Sequence, residues 1–217
     1  MTGLRWFAPL LAFAAMAASA DDALIKVAER GNVVELRRLL DAGTSVNGRD
    51  ASGRNAVLAA TQGGHSEAAR LLIARGADVN AQNDMRDSAF LLAGARGHTE
   101  IVRAALVAGA NLKSTNRYGG TALIPACHYG HVETVRVLLG SAIDVNHVNS
   151  LGWTALLEAV ILGDGGARHI EIVRLLIAHR ADVNIADRQG VMPLAHADQR
   201  GQRAISDMLR AVGARAR

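Results

Sequence analysis

Cysteine is almost absent from this chain. Cys127 stands alone, so no intramolecular disulfide can brace the fold even in an oxidising compartment, and its elements must hold together by packing. Aromatic residues are nearly as scarce: beyond residue 20 they reduce to Phe90, Tyr118, Tyr129 and Trp153, which leaves a core of Leu, Val, Ile and Ala. Neither sign of charge prevails, with 24 Lys and Arg against 20 Asp and Glu. Acids sit beside the arginines throughout, no stripe of one sign emerges, and nucleic acid is not an expected partner. After residue 20 no stretch approaches the ~18 uninterrupted apolar residues that mark a membrane-spanning helix.

Those first twenty residues have a different character. Arg5 precedes an apolar run from Trp6 to Ala17, followed by Ala18-Ser19-Ala20 and then Asp21-Asp22. This is the layout of a secretory signal peptide with a small-residue cleavage site, and the run falls short of the ~20 residues a membrane span needs. Residues 1–20 are set aside as a signal peptide. The remainder, 21–217, is expected to be a soluble chain, free of the membrane after cleavage and periplasmic or secreted.

What the remainder has in abundance is itself. Gly76-Ala77-Asp78-Val79-Asn80 is echoed by Ala142-Ile143-Asp144-Val145-Asn146 and by Arg180-Ala181-Asp182-Val183-Asn184, with Gly109-Ala110-Asn111-Leu112 between them. Asp50, Asn83, Asn116 and Asn149 stand 33 residues apart. A fixed period of this size means a stack of like units, each covering its apolar face with the next. The units read as 21–49, 50–82, 83–115, 116–148, 149–186 and 187–217, all within one domain.

The fourth unit shows the expected anatomy. Thr121 is placed to cap a short helix through Ala126, Cys127 and Tyr129. Gly130-His131 reverses the chain, and a second helix over 132–139 carries apolar residues at Val132, Val135, Leu138 and Leu139, one stripe at spacings of three and four. Gly140-Ser141-Ala142 ends it. Asp144-Val145-Asn146 then leads into a projecting turn, where Asn, Asp and Gly accept conformations that bulkier residues resist.

Several pieces in register carry a family resemblance: Thr154-Ala155-Leu156, Met192-Pro193-Leu194, Gly97-His98-Thr99-Glu100-Ile101-Val102, His169-Ile170-Glu171-Ile172-Val173-Arg174-Leu175-Leu176 and the Ala-Asp-Val-Asn ends. The chain resembles an ankyrin-repeat protein over 21–217. The resemblance implies an all-α solenoid of about six helix-turn-helix units with projecting turns, and a non-catalytic scaffold that holds another protein on its turn tips and concave inner helices. It departs from the familiar Thr-Pro-Leu-His where Leu58, Leu91, Ile124, Leu157 and Ala195 replace the histidine. That exchange gives up side-chain hydrogen bonds between repeats and implies looser turns.

The candidate contact residues follow from the register. The second position after each period marker is Ser52, Met85, Tyr118, Leu151 and Gln189, and two further on stand Arg54, Asp87, Gly120, Trp153 and Val191. Met85, Tyr118, Leu151 and Trp153 are thus expected along the projecting turns of successive units. They are either anchors for a partner, being types enriched at interface cores, or side chains folded back to stiffen the ridge. The inner helices present a second lining: Ala95 with Arg96, His128 with Tyr129, Glu158 with Ile161, and Gln199 with Arg200. Mixed charge with an aromatic suits a protein partner of unknown identity.

One unit breaks the period. His131 to His169 spans 38 residues, and the extra five fall within Gly163-Asp164-Gly165-Gly166-Ala167-Arg168. This is either a contact feature or a tolerated loop extension. A P-loop is ruled out, since no Gly-Lys-Ser/Thr follows and no strand precedes. Together with Thr121-Ala122-Leu123-Ile124-Pro125-Ala126 and the run Leu151 to Ala159, the insertion resembles exported bacterial ankyrin proteins. Some of these are thought to act beside catalases, which implies a second role as accessory or inhibitory partner of a secreted enzyme in peroxide defence.

Recurrent His65, His98, His131 and His169 tempt a metal reading. One per unit, they stand roughly 10 Å apart, whereas zinc draws its ligands to ~2 Å. They are expected to serve the turns. Cys127 takes the small-residue slot shared with Thr61, Gly94 and Val160 and is expected to be buried. No nucleophile, base and acid converge, so no enzyme, metal or cofactor is expected. Polar residues at both ends, Lys26, Glu29, Arg30, Arg37 and Arg38 at the front and Asp198 to Arg210 at the back, are expected to cap a self-standing, monomeric stack.

Overall fold

A computed structural model describes residues 21–216; residues 1–20, read from the sequence as a signal peptide, lie outside the described residues. The period of 33 becomes twelve helices: α1 over 21–29, α2 (Val33–Asp41), α3 (Ala56–Gln62), α4 (Ser66–Ala74), α5 (Ala89–Arg96), α6 (Thr99–Val107), α7 (Leu123–His128), α8 (Val132–Leu139), α9 (Ala155–Ile161), α10 (Ala167–Ala178), α11 (Pro193–Gln199) and α12 (Arg203–Ala211). No strand occurs among the described residues, only an isolated bridge between Arg49 and Asn55. Inner helices α3, α5, α7, α9 and α11 pack in sequence, each also against the outer helix that follows it, and the outer helices α2 to α12 pack in their own row. The fold is the expected all-α solenoid.

Equivalent positions form continuous layers. On the inner helices Val57, Phe90, Leu123, Leu156 and Leu194 are all buried, and on the outer ones Leu72, Ala105, Leu138, Leu176 and Leu209. Each side chain is covered by the same position one unit away, which is how short helices that are individually marginal become stable.

Three inner helices begin at side-chain caps, while α11 has Met192 at its cap and Pro193 at its first position. Asn55 accepts from the Leu58 N–H (3.0 Å), Ser88 from Leu91 (3.2 Å) and Thr154 from Leu157 (3.2 Å). Thr121 does not do this, contrary to the reading of the sequence. Its hydroxyl is buried without a hydrogen-bond partner among the described residues, and α7 starts at Leu123, capped by Ala122. Pro125 supplies the reason. It has no N–H to give the Thr121 carbonyl, so the Ile124 N–H turns to that carbonyl (3.3 Å) and the first turn tightens away from the cap.

The turns are also less loose than the missing histidines imply, because asparagines lace them. Asn47 accepts from the Asp78 N–H (2.7 Å) and donates to the Gly76 carbonyl (3.1 Å). Asn80 repeats this with Asn111 (2.7 Å) and Gly109 (3.2 Å), while Asn146 and Asn184 accept from Asp182 and Arg215 (both 2.8 Å). The one gap falls at Lys113, an exposed residue in the asparagine register. Lys113→Asn is expected to close the ladder between the third and fourth units and to stabilise the chain by about 1 kcal/mol, visible as a rise of roughly 2–4 °C in Tm for a chain of this size.

The candidate contact groove

The projecting turns are built alike. In each, the marker side chain accepts two backbone N–H groups, those two and four residues on. Asn83 Oδ1 takes Met85 and Asp87 (3.0 and 2.9 Å), Asn116 takes Tyr118 and Gly120 (2.9 and 3.0 Å), and Asn149 takes Leu151 and Trp153 (2.9 and 3.0 Å). Asp50 and Asp187 do the same at the two flanking turns. The residue after the tip has left-handed backbone, supplied by Gly53, Gly119, Gly152 and Gly190 and, in the third unit, by Arg86 (φ 59°). Locking the turn this way sends the second residue outward. Adjacent tips are stitched as well, with Asp84 N–H donating to Ser52 (3.0 Å) and Ser150 N–H to Tyr118 (2.9 Å).

Between these tips and the inner helices runs an open groove of about 1120 Å³. It gathers six of the eight residues expected to make contact: Arg96, Tyr118, His128, Tyr129, Leu151 and Glu158. Tyr118 and Tyr129 are each 55% exposed. Met85 is exposed on its tip but does not line the groove, and Trp153 is half-buried outside it. Trp153 is the base of its turn, since its N–H and carbonyl both pair with Asn149. Of the further lining, Ala95 is in place but Leu162 stands where Ile161 was expected, and Gln199 and Arg200 lie beyond the end of the groove. Arg117 was missed: its guanidinium carbon sits 5.1 Å above the Tyr118 ring, a cation–π geometry.

The floor has its own electrostatics. His128 and Tyr129 stack with ring centroids 4.2 Å apart and planes within 14°. Glu158, 6% exposed, accepts from Asn149 Nδ2 at 3.0 Å, so the side chain that organises the fifth tip also orients this carboxyl. Burial pushes Glu158 up to about 7. His128 Nδ1 lies 3.6 Å from its second oxygen, but burial, reinforced by His169, holds the His128 ring below its ordinary range. The contact is therefore not an ion pair near neutral pH.

The recurrent histidines serve the stack. His65, His131 and His169 place Nε2 against the Glu29, Ala95 and His128 carbonyls (3.1, 3.2 and 2.9 Å), tying the start of each of these outer helices to the inner helix of the preceding unit. At the third unit His98 Nε2 is buried without a hydrogen-bond partner among the described residues, and Arg96 links two inner helices instead, donating from α5 to the Gln62 carbonyl of α3. The insertion keeps His169 in register: α10 gains a first turn, and Asp164 Oδ1 meets His169 Nδ1 at 2.7 Å and the Gly166 N–H at 2.9 Å. Both ring nitrogens of His169 thus face oxygen atoms, which fixes the ring between the insertion and α7. No group of three His, Cys, Asp or Glu among the described residues is placed to hold a metal, and no helix among them is long and apolar enough to cross a membrane. Cys127 is fully buried, and burial followed by the Glu158 charge drives its thiol far up. In the native protein it is expected to stay unlabelled by a thiol reagent over hours at pH 8, and to react fully once urea unfolds the chain.

Comparison with known proteins places these features. A model of ankyrin repeats matches in three copies, over residues 10–83, 61–149 and 89–187. The crystal structure of an ankyrin repeat domain from Acinetobacter baumannii AYE is similar with TM-score 0.86 at 48% identity, covering 89% of this chain and 98% of that one. The ankyrin repeat protein EF0377 gives 0.84 at 38%, covering 88% and 97%. The ankyrin repeat domain of Bcl-3, a member of the IkappaB protein family, gives 0.77 at 26%, covering 88% and 86%. YahD, an ankyrin repeat protein of Escherichia coli (strain K12), is 42% identical over 57 residues, which are 26% of this chain and 28% of that protein.

Proposed function

The chain belongs to the ankyrin-repeat family, whose domains generally mediate protein–protein interaction, and on that premise we propose that it is a monomeric, non-catalytic scaffold of the bacterial cell envelope whose groove grips a partner protein. The observation that carries the reading is the groove itself. Tyr118, Tyr129 and Leu151 are exposed together there on turns and helix ends held rigid by the asparagine bonds. Exposed aromatics on a pre-organised concave surface are what a binding core requires. The envelope location rests on the order of Arg5, the apolar run and Ala18-Ser19-Ala20 in the sequence alone, and the bacterial origin of two similar proteins bears only on the kind of cell.

Photocrosslinking in cells tests both parts. A photoreactive side chain at Tyr118 or Tyr129 is expected to trap the same partner, while one at Val107, 91% exposed on an outer helix, traps none. Tyr129→Ala is expected to weaken that complex by at least about tenfold without lowering Tm. Fractionation is expected to recover the chain from the periplasm with Asp21 as its first residue. Adducts from Val107 alone, or self-products only, would overturn the groove. A chain recovered from the cytoplasm with its first twenty residues attached would overturn the location.

A further inference from the structure

We propose that Glu158 receives a basic side chain, lysine or arginine, from the partner segment that occupies the groove. The inference rests on the groove being the binding surface. Glu158 is a carboxyl almost wholly buried, yet it lines the groove, on its floor. Its Oε1 accepts from Asn149, and its Oε2 has only His128 Nδ1 at 3.6 Å, too long for a hydrogen bond. A carboxylate offers about four lone-pair sites, and one of these has a hydrogen-bond partner among the described residues.

Nothing packed against α9 supplies the missing cation. From α7 come Cys127, a neutral thiol, and His128, a neutral ring. From α10 comes His169, fixed between Asp164 and the His128 carbonyl, while Arg168 lies against the Gly130–His131 turn and Arg174 pairs with Glu171. From α11, His196 pairs with Asp187 at 2.7 Å and Arg200 donates to the Gly163 carbonyl at 3.3 Å. The cations on the rest of the groove are engaged as well, Arg96 by the Gln62 carbonyl and Arg117 by the Tyr118 ring. The groove thus holds an unpaired acid on its floor, with exposed Leu151 and Leu162 and the Tyr129 ring around it. That combination fits a long basic side chain, whose methylene stem packs on apolar surface while its charged end meets the acid. An acidic segment would meet repulsion instead.

Because an uncompensated Glu158 keeps its proton up to about pH 7, a cation entering beside it expels that proton. Affinity is therefore expected to rise with pH through neutrality, by about tenfold between pH 6 and pH 8.

The test is selection of a phage-displayed random peptide library on the mature chain at pH 8, followed by calorimetry with synthetic copies of the winners. The selected peptides are expected to share a Lys or Arg flanked by apolar residues. Glu158→Gln is expected to weaken them about tenfold or more at pH 8 and to flatten the pH profile without loss of Tm. Changing the shared base to norleucine is expected to reproduce that loss in the native chain and to add nothing in the variant. Peptides that lose binding with Tyr129→Ala but carry no base, or bind Glu158→Gln equally well, would overturn the assignment and leave the groove intact. No enriched peptide, or peptides indifferent to Tyr129→Ala, would sink the groove reading and this inference together.

Discussion

Replacing Phe90 by alanine is expected to destabilise the chain by about 3–5 kcal/mol, the usual cost of emptying a large aromatic site in a core. Phe90 is the largest fully buried side chain, and the only aromatic in a layer otherwise made of Val57, Leu123, Leu156 and Leu194. It sits on α5, between α3 and α7, so the cavity opens at two interfaces at once. In a solenoid, stability is a sum of unit and nearest-neighbour terms. The loss should therefore split the stack at the third unit as well as lower its total stability. Hydrogen exchange is expected to show α3 to α6 opening while α9 to α11 stay protected, and urea unfolding is expected to lose its single transition. The matching cut at the end of the stack, Leu209→Ala on α12, has only one neighbouring unit to disturb and should fray that end alone. A loss below about 1 kcal/mol at Phe90, with one sharp transition retained, would mean that the layers do not carry the fold.

Most of that architecture is legible in one dimension, because a repeat defines each residue by its offset. The markers Asp50 to Asn149 locate every turn, and the positions two residues on do project from it. Position alone does not say what lies opposite. Six of the eight expected contact residues meet in the groove because they fall on tips or on the exposed side of inner helices. Trp153 is set back because its backbone closes the turn, and Met85 stands exposed on its tip as the register predicts, but beyond the groove. The Thr121 cap fails on a neighbour: a proline four residues on alters the hydrogen bond that capping presupposes. The looseness expected of the turns is offset because asparagines elsewhere in the unit provide their own hydrogen bonds from one unit to the next. One signal for the groove floor was present and unused. Asn149 and Glu158 stand nine apart, as do Asp187 and His196, and both pairs are bonded (3.0 and 2.7 Å), so a polar residue at that offset reports a turn braced onto its own helix.

Glu158→Gln is expected to stabilise the unliganded chain above neutral pH by about 2–3 kcal/mol, the full 1.36 kcal/mol for each unit of pKa shift being reduced by solvent screening in the open groove. The ordinary value of 4.5 applies in the unfolded chain, whereas burial raises the folded carboxyl to about 7. Below pH 4.5 both states hold the proton and Glu158 exacts no penalty. Between 4.5 and 7 the unfolded chain releases its proton while the folded one keeps it, so stability falls as pH rises, and above 7 the loss is complete. Glutamine keeps a carbonyl oxygen for Asn149 Nδ2 and removes the charge. Urea denaturation of both chains at pH 5 and pH 8 isolates the effect, since every other titrating group is common to the two and cancels in their difference. The two chains are expected to converge toward pH 5 and to part at pH 8 in favour of the variant. Equal differences at both pH values would mean that Glu158 ionises freely in the folded chain, and the groove floor would then hold no strained acid for a basic partner to relieve.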